Sequence, residues 1–127
     1  MLFEHALTIP ASTSVLEPTE AWVKLTAGIL VQVDVIIPWG VGALAGIRLL
    51  YENWQILPIT SGQWLTGNDQ RLTFPENYQI KSDPFYVKLQ GYNSDDTYDH
   101  TITLMLTIMR YTLNERAQSF VAALLQG

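Results

Sequence analysis

Cysteine is absent from this 127-residue sequence, which excludes disulfide bonds, thiolate metal sites and thiol catalysis. Histidine is scarce, and two residues, His5 and His100, are too few for a His-rich metal site. Charge is also scarce, because 15% of the residues are charged against about 25% in ordinary domains. The formal net charge is −5. We expect no nucleic-acid partner, since phosphate contacts need clustered Lys and Arg.

Long hydrophobic runs are missing as well. An uncharged stretch in the middle of the sequence spans residues 35–47, but Pro38 and three glycines interrupt it. It is shorter than the about 20 residues that a membrane-spanning helix needs. The first residues lack a basic segment, and Glu4 interrupts the apolar stretch that a secretory signal requires. These absences predict a protein that is made in the cytoplasm and has no membrane partner.

What the sequence does contain is a strong two-residue hydrophobic period, which is typical of β-strands. Apolar residues make up 48% of the chain, too many for a disordered protein. Every odd position from 29 to 37 is apolar, which predicts a strand that buries Ile29, Val31, Val33, Val35 and Ile37. Similar alternation occurs at residues 47–49, 85–90 and 101–108. One face of these strands is polar, as in antiparallel sheets with one solvated side.

Turn sequences separate the strand-like runs at short intervals. They lie at residues 38–40, 52–53, 61–62, 66–69, 75–77, 82–84 and 93–96. The spacing predicts seven or eight short strands between Leu2 and Met109. Two sheets packed about 10 Å apart fit a chain of this length. We therefore predict an all-β fold, a two-sheet antiparallel β-sandwich of jelly-roll or immunoglobulin-like size.

The C-terminal residues 112–127 change to a helical period. Thr112 and Glu115 match a capping box, and apolar residues then recur along one helical face. This face contains Leu113, Ala117, Phe120, Val121, Leu124 and Leu125. We expect one domain, with an N-terminal strand and extended arm in residues 1–21, the sandwich in 22–111 and an amphipathic helix in 112–127. The helix either caps its own sandwich or packs on another copy or a partner.

Catalytic motifs are not found in the sequence. It lacks a Gly-rich phosphate loop, a nucleophile elbow and a zinc-protease helix. We predict neither an enzyme nor a bound cofactor.

The densest polar cluster spans residues 93–100. Its carboxylates, Asp95, Asp96 and Asp99, are candidate ligands for a hard cation such as Ca²⁺, although the spacing does not fit an EF-hand. The alternative, which we favour, is a hairpin connection whose Asn and Asp side chains bond nearby backbone N–H groups. We expect His100, at the start of a strand, to be a hydrogen-bonded structural residue rather than a metal ligand.

The four tryptophans are a further group of candidate binding residues. Trp39 lies in a Pro-Trp-Gly turn, and Trp54 and Trp64 lie in or near connecting segments. If exposed, these three would stack on sugar rings or dock into a neighbouring subunit. The alternative, which we favour, is that they plug the ends of the sandwich. Trp22 begins a strand and is expected in the core or at its edge.

Five motifs in residues 22–108 carry a family resemblance. They are Leu25-Thr26-x-Gly28-Ile29, Pro38-Trp39-Gly40, Gly46-Ile47-Arg48, Gln55-Ile56-Leu57-Pro58, and the long motif from Tyr92 to Thr101. Together they resemble small β-sandwich structural proteins of tailed bacteriophages and related prophages. The resemblance implies a virion component, with a capsid decoration (cement) protein as the leading candidate. It would bind the major capsid protein and itself, as a trimer or dimer. It would lie on the capsid exterior after synthesis in the host cytoplasm.

For that function, the expected contact residues are mainly on the C-terminal helix. They are Leu113, Phe120, Val121, Leu124 and Leu125, with Trp39 and the N-terminal arm as weaker candidates. The alternative is a glycan-binding module of a head fibre, tail or adhesin, which would recognise a host glycan through Trp39, Trp54 or Trp64.

Overall fold

The computed structural model describes residues 1–52, 54–80 and 85–110. Within these ranges the chain forms nine β-strands and no helix. The strands are β1 Leu2–Ile9, β2 Thr19–Lys24, β3 Gly28–Ile37, β4 Ala45–Tyr51, β5 Trp54–Leu57, β6 Leu65–Thr66, β7 Gln70–Ile80, β8 Tyr86–Asn93 and β9 His100–Arg110. None of the described segments is a helix able to cross a membrane. The helix predicted for 112–127, with its five candidate contact residues, lies outside the described residues.

The strands form two antiparallel sheets, which confirms the all-β prediction. The first sheet has the order β1-β9-β3-β7, and the second has the order β2-β8-β4-β5, with β6 also paired to β4. The described chain thus has nine strands where seven or eight were predicted. β1 forms an edge of the first sheet. The predicted boundary between the arm and the sandwich, between residues 21 and 22, falls inside β2.

The hydrophobic core lies between the two sheets. Within the described ranges, its 22 buried apolar residues come mainly from the two inner faces, and the alternation predicted for β9 is confirmed. Ile102, Leu104, Leu106 and Ile108 of β9 are all buried. Burying several such side chains contributes about 1.5–3 kcal/mol each to folding, which holds the two sheets together.

β3 carries a β-bulge that changes which residues it buries. Leu30 pairs with Ile108 of β9, but Gln32 pairs with Thr107, so β3 holds one extra residue at this point. Leu30 and Val33 are therefore both buried, whereas Ile29 and Val31 are only half-buried. The predicted inward positions of Ile29 and Val31 are wrong because the bulge shifts the strand's period by one residue.

The turn predicted at residues 75–77 is also wrong, because these residues lie inside β7. β7 is an edge strand of the first sheet, and edge strands tolerate proline because one side of the strand has no partner. Leu72, Phe74 and Tyr78 pack against the core on either side of this segment. Pairing with β3 therefore overrides the local turn signal.

Trp22 lies outside the core, contrary to the prediction. It is 59% exposed in the middle of β2, whose inner face carries Ala21 and Val23. The alternation of β2 places Trp22 on the opposite face, beside the side chain of Lys88 from β8.

Candidate functional site

One end of the sandwich is formed by three connections that we call the loop end, comprising residues 38–44, 67–69 and 94–99. These connections hydrogen-bond to one another through their backbones. Ala43 N donates to Gly67 O (3.0 Å), and Ser94 N donates to Leu44 O (2.8 Å). Because loops that brace each other lose less entropy on binding, the loop end is a preorganised surface.

The connection between β3 and β4 presents Trp39. Its backbone is fixed by Asn68, whose Oδ1 accepts hydrogen bonds from Gly40 N and Gly42 N, both at 2.9 Å. Gly40 (φ 100°) and Gly42 (φ 57°) have positive φ angles that favour glycine. Trp39 is 81% exposed, so it does not plug the sandwich. This turn holds a large indole ring in solvent on a rigid backbone.

The connection between β8 and β9 is organised around Asp95. Its Oδ1 accepts hydrogen bonds from Thr97 N (2.9 Å) and Tyr98 N (3.3 Å), and its Oδ2 lies 2.9 Å from His100 Nε2. The backbone N–H of Thr97, followed by the His100 imidazole, lowers the pKa of Asp95. His100 is hydrogen-bonded, as predicted. Asp95 thereby fixes the backbone that carries Tyr98.

Asn93 anchors this connection to the body of the sandwich. Its fully buried Nδ2 donates to Ile9 O (3.1 Å) and Tyr98 O (2.9 Å), while its Oδ1 accepts from Asp95 N (3.0 Å). The end of β1, the end of β8 and the exposed connection are therefore joined through one side chain.

The other two candidate calcium ligands also bond to the protein. Asp96 Oδ1 accepts a hydrogen bond from Thr97 Oγ1, and Asp99 Oδ1 accepts one from Ala11 N, both at 2.9 Å. These contacts have the character of a hairpin connection stabilised by Asp and Asn side chains. In the described ranges, no group of three or more His, Cys, Asp or Glu side chains is arranged to hold a metal ion.

A cleft of about 430 Å³ opens between the two connections, lined by Trp39, Gly40, Tyr98 and His100. Tyr98 is 68% exposed and was not among the predicted contact residues. The sequence signal for Tyr98 is the Asp-x-x-Tyr spacing. An Asp side chain that accepts hydrogen bonds from the backbone N–H groups two and three residues later fixes the turn, and the tyrosine three residues later is then held at the tip of the loop. The cleft can stack a flat, partly apolar group against its aromatic rings.

A second exposed apolar surface, which we call the β5 patch, consists of Trp54 and Ile59. They are 66% and 88% exposed. Gln55 organises the loop after β5, since its Nε2 donates to carbonyl oxygens of that loop, including Pro58 O at 2.8 Å. Because Trp54 is mostly exposed, the alternative that it plugs the sandwich is wrong. Trp64 is half-buried and packs edge-on against Tyr92.

No protein-family model matches this sequence, and comparison with curated proteins gives no significant match.

Proposed function

We propose that the protein is a non-enzymatic structural component of a phage particle, a capsid decoration protein that bridges neighbouring major capsid subunits. The five sequence motifs that resemble phage structural proteins support the setting. The surface of the sandwich supports the bridging role.

The observation that carries the proposal is the presence of two separate exposed apolar surfaces on one sandwich. Trp39 of the loop end precedes β4, and Trp54 of the β5 patch follows it. The seven residues of β4 span about 20 Å, so the two surfaces lie near opposite ends of this strand. A bridging protein needs two such contacts, and exposed aromatic patches of this kind are typical of interaction sites.

The low charge of the chain agrees with this function. Charged residues make up 15% of the sequence, and interface cores are depleted in charge. Each contact can be modest, because the contacts are repeated over a shell and act together.

Quantitative mass spectrometry of purified particles from a phage that encodes this chain tests the proposal. We expect a copy number near that of the major capsid protein or a simple fraction of it. A few copies per particle would place the protein in the tail, neck or a fibre. Absence from the particle would contradict any virion function.

A Trp39→Ala variant tests the assigned contact. Interface tryptophans are frequent hot spots, so we expect at least a tenfold drop in copies per particle with an unchanged melting temperature. Met109→Ala is the matched control, because Met109 is also an exposed apolar residue (43%) but lies at the end of β9 opposite to the loop end. Equal incorporation of the two variants would remove Trp39 from the interface.

The cleft favours a second candidate function, glycan recognition. Its aromatic rings, Trp39 and Tyr98, come from two braced connections and border a space large enough for a sugar ring. A glycan array probed with the whole protein should then show a sugar signal that both Trp39→Ala and Tyr98→Ala remove. A signal unaffected by either variant, or no signal, would eliminate this candidate.

A further inference from the structure

The outer face of the second sheet differs in chemistry from the rest of the molecule. Alternation along β2, β8 and β4 brings together a row of cationic, amide and aromatic side chains, which we call the cationic face. It consists of Glu20, Trp22, Lys24, Arg48, Trp64, Tyr86, Lys88, Gln90 and Tyr92, with the half-buried Leu50 opposite Lys88. In the strand register, Gln90 lies between Glu20 and Arg48.

Arg48 is held rigidly on this face. Its Nε donates a 2.6 Å hydrogen bond to Gln90 Oε1, and its Cζ lies 4.2 Å from the centroid of the Trp64 ring. Trp64 is fixed in turn by Tyr92, with ring centroids 5.0 Å apart and an interplanar angle of 80°. Tyr92 lies against Gly46, where a Cβ atom would come within 2.5 Å of its ring. The guanidinium is therefore preorganised, and among the described residues its terminal nitrogens make no hydrogen bond or ion pair.

Arg48 has no acidic partner in the part of the chain that the structure describes. The ion pairs there join Arg71 to Asp34, Lys88 to Glu20 and His100 to Asp95. A half-buried, immobilised guanidinium without a counter-charge is suited to accept a carboxylate on its fork of N–H donors.

The charge of this face is opposite to that of the protein. Lys24, Arg48 and Lys88 face one described acid, Glu20, whereas the whole chain has a net charge of −5. Lys88 and Arg48 occupy diagonal positions on neighbouring strands, about 7–8 Å apart. The face thus attracts a ligand with more than one negative charge.

Aromatic rings accompany these charges. Trp22 is 59% exposed, and Lys88 Nζ lies 5.3 Å from its ring centroid. Tyr86 is 38% exposed on the next row of β8. The negative faces of such rings attract the C–H groups of a sugar ring.

We propose that the cationic face binds an acidic oligosaccharide, with a uronate carboxylate on Arg48 and a sugar ring stacked on Trp22. Glu20, which accepts a hydrogen bond from Gln90 Nε2 (3.2 Å), adds a carboxylate acceptor for sugar hydroxyls, which the backbone of a DNA strand lacks. Three cations beside an acid are also too few for the phosphate contacts of a nucleic acid. Uronate sugars therefore fit this face better than single-stranded nucleic acid does.

Titration of the whole protein with tetragalacturonate, followed by ¹H–¹⁵N NMR, tests the site. We expect saturable shifts at Arg48, Gln90 and the Trp22 indole, and at least tenfold weaker binding of the fully methyl-esterified tetramer, which lacks the charges. Arg48→Gln should weaken tetragalacturonate binding at least tenfold. Arg110→Gln, the matched control, removes a charge from an exposed residue at the end of β9 and should change binding less than twofold.

Trp22→Ala provides a second test that does not depend on Arg48. The exposed position makes the variant compatible with folding, and we expect severalfold weaker binding. Equal affinity for the acid and its methyl ester, or no saturable binding, would overturn the proposal. Tighter binding of oligo(dT) than of tetragalacturonate would overturn it in favour of nucleic acid. None of these outcomes affects the copy-number test, because the cationic face is separate from the loop end.

Discussion

At the scale of single residues, the most unusual feature is a carboxylate that is buried although it lies on an outer sheet face. Asp34 follows Val33 on β3, points away from the core and is 4% exposed. Thr73 Oγ1 donates to its Oδ1 (2.5 Å), and Gln32 Nε2 donates to its Oδ2 (2.9 Å). The hydrogen bond from Thr73, then that from Gln32, lowers the pKa of Asp34 below its ordinary value of 3.8.

This lowered pKa makes stability depend on pH. A carboxyl group with a lowered folded-state pKa stabilises the fold fully above its unfolded pKa near 3.8, and the contribution disappears as the pH falls through the folded pKa. Replacing Thr73 with valine should therefore cost about 1 kcal/mol in urea unfolding at pH 7 and clearly less at pH 2. The same cost at both pH values would show that Thr73 does not act through the charge of Asp34.

Asn93 gives a second prediction at this scale. In Asn93→Asp the shape is kept, but the Nδ2 donor to Ile9 O and Tyr98 O is replaced by an acceptor. Leaving buried carbonyls without a donor costs about 1–3 kcal/mol each, so we expect a free energy of unfolding lower by roughly 2–6 kcal/mol. Thr97→Ala, at an exposed position of the same connection, is the control. An Asn93→Asp variant as stable as the wild type would refute the anchoring role.

At the scale of elements, the sequence predicts the buried residues of a strand where the apolar alternation is regular. It does not predict them where pairing with a neighbouring strand shifts that alternation. The period of β9 correctly predicts its buried residues because the strand pairs without interruption against β1. In β3, the bulge after Leu30 depends on the partner β9, and no local signal of residues 28–37 marks it. Pro75 predicts a turn, but an edge position beside β3 tolerates it within a strand.

The close packing of β1 on β8 leads to a prediction for Gly91. A Cβ atom at Gly91 would come within 2.5 Å of Ile9 Cδ1. Gly91→Ala should therefore destabilise the protein by about 1–3 kcal/mol through overpacking. Ile9→Val removes Cδ1, the nearest crowded atom, and keeps Cγ1 at 2.8 Å, so the double variant should be partly relieved and more stable than the sum of the single effects predicts. Strict additivity in chemical unfolding would show that the two residues are not in contact.

At the scale of the whole molecule, the position of the candidate site could be predicted only in part. The turn around Trp39 is visible in the sequence because Pro and Gly flank the indole. The cleft with Tyr98 depends on two connections that are about 60 residues apart and meet through the hydrogen bond from Ser94 N to Leu44 O. The cationic face likewise appears only when β2, β8 and β4 pair. Long-range pairing therefore decides which side chains share a surface.

The extent of the core makes a prediction about truncation. All 22 buried apolar residues of the described chain lie between Leu7 and Ile108. We expect a variant without residues 113–127 to keep its β-sheet circular dichroism and a cooperative thermal transition. A smaller species in analytical ultracentrifugation would then assign Leu113, Phe120 and their neighbours to an interface. Loss of folding would instead favour an intramolecular cap.

The pairing of β1 with β9 has a consequence for synthesis of the protein. Leu2 pairs with Thr107 and Ile9 with His100, so these partners are separated by 91 to 105 residues. At a translation rate of about 5–20 residues per second, β1 emerges from the ribosome roughly 5–20 s before its partner in the first sheet exists. During that time Leu7 and Ile9 have no sheet to cover them. The first sheet of this sandwich therefore cannot be completed until β9 has left the ribosome.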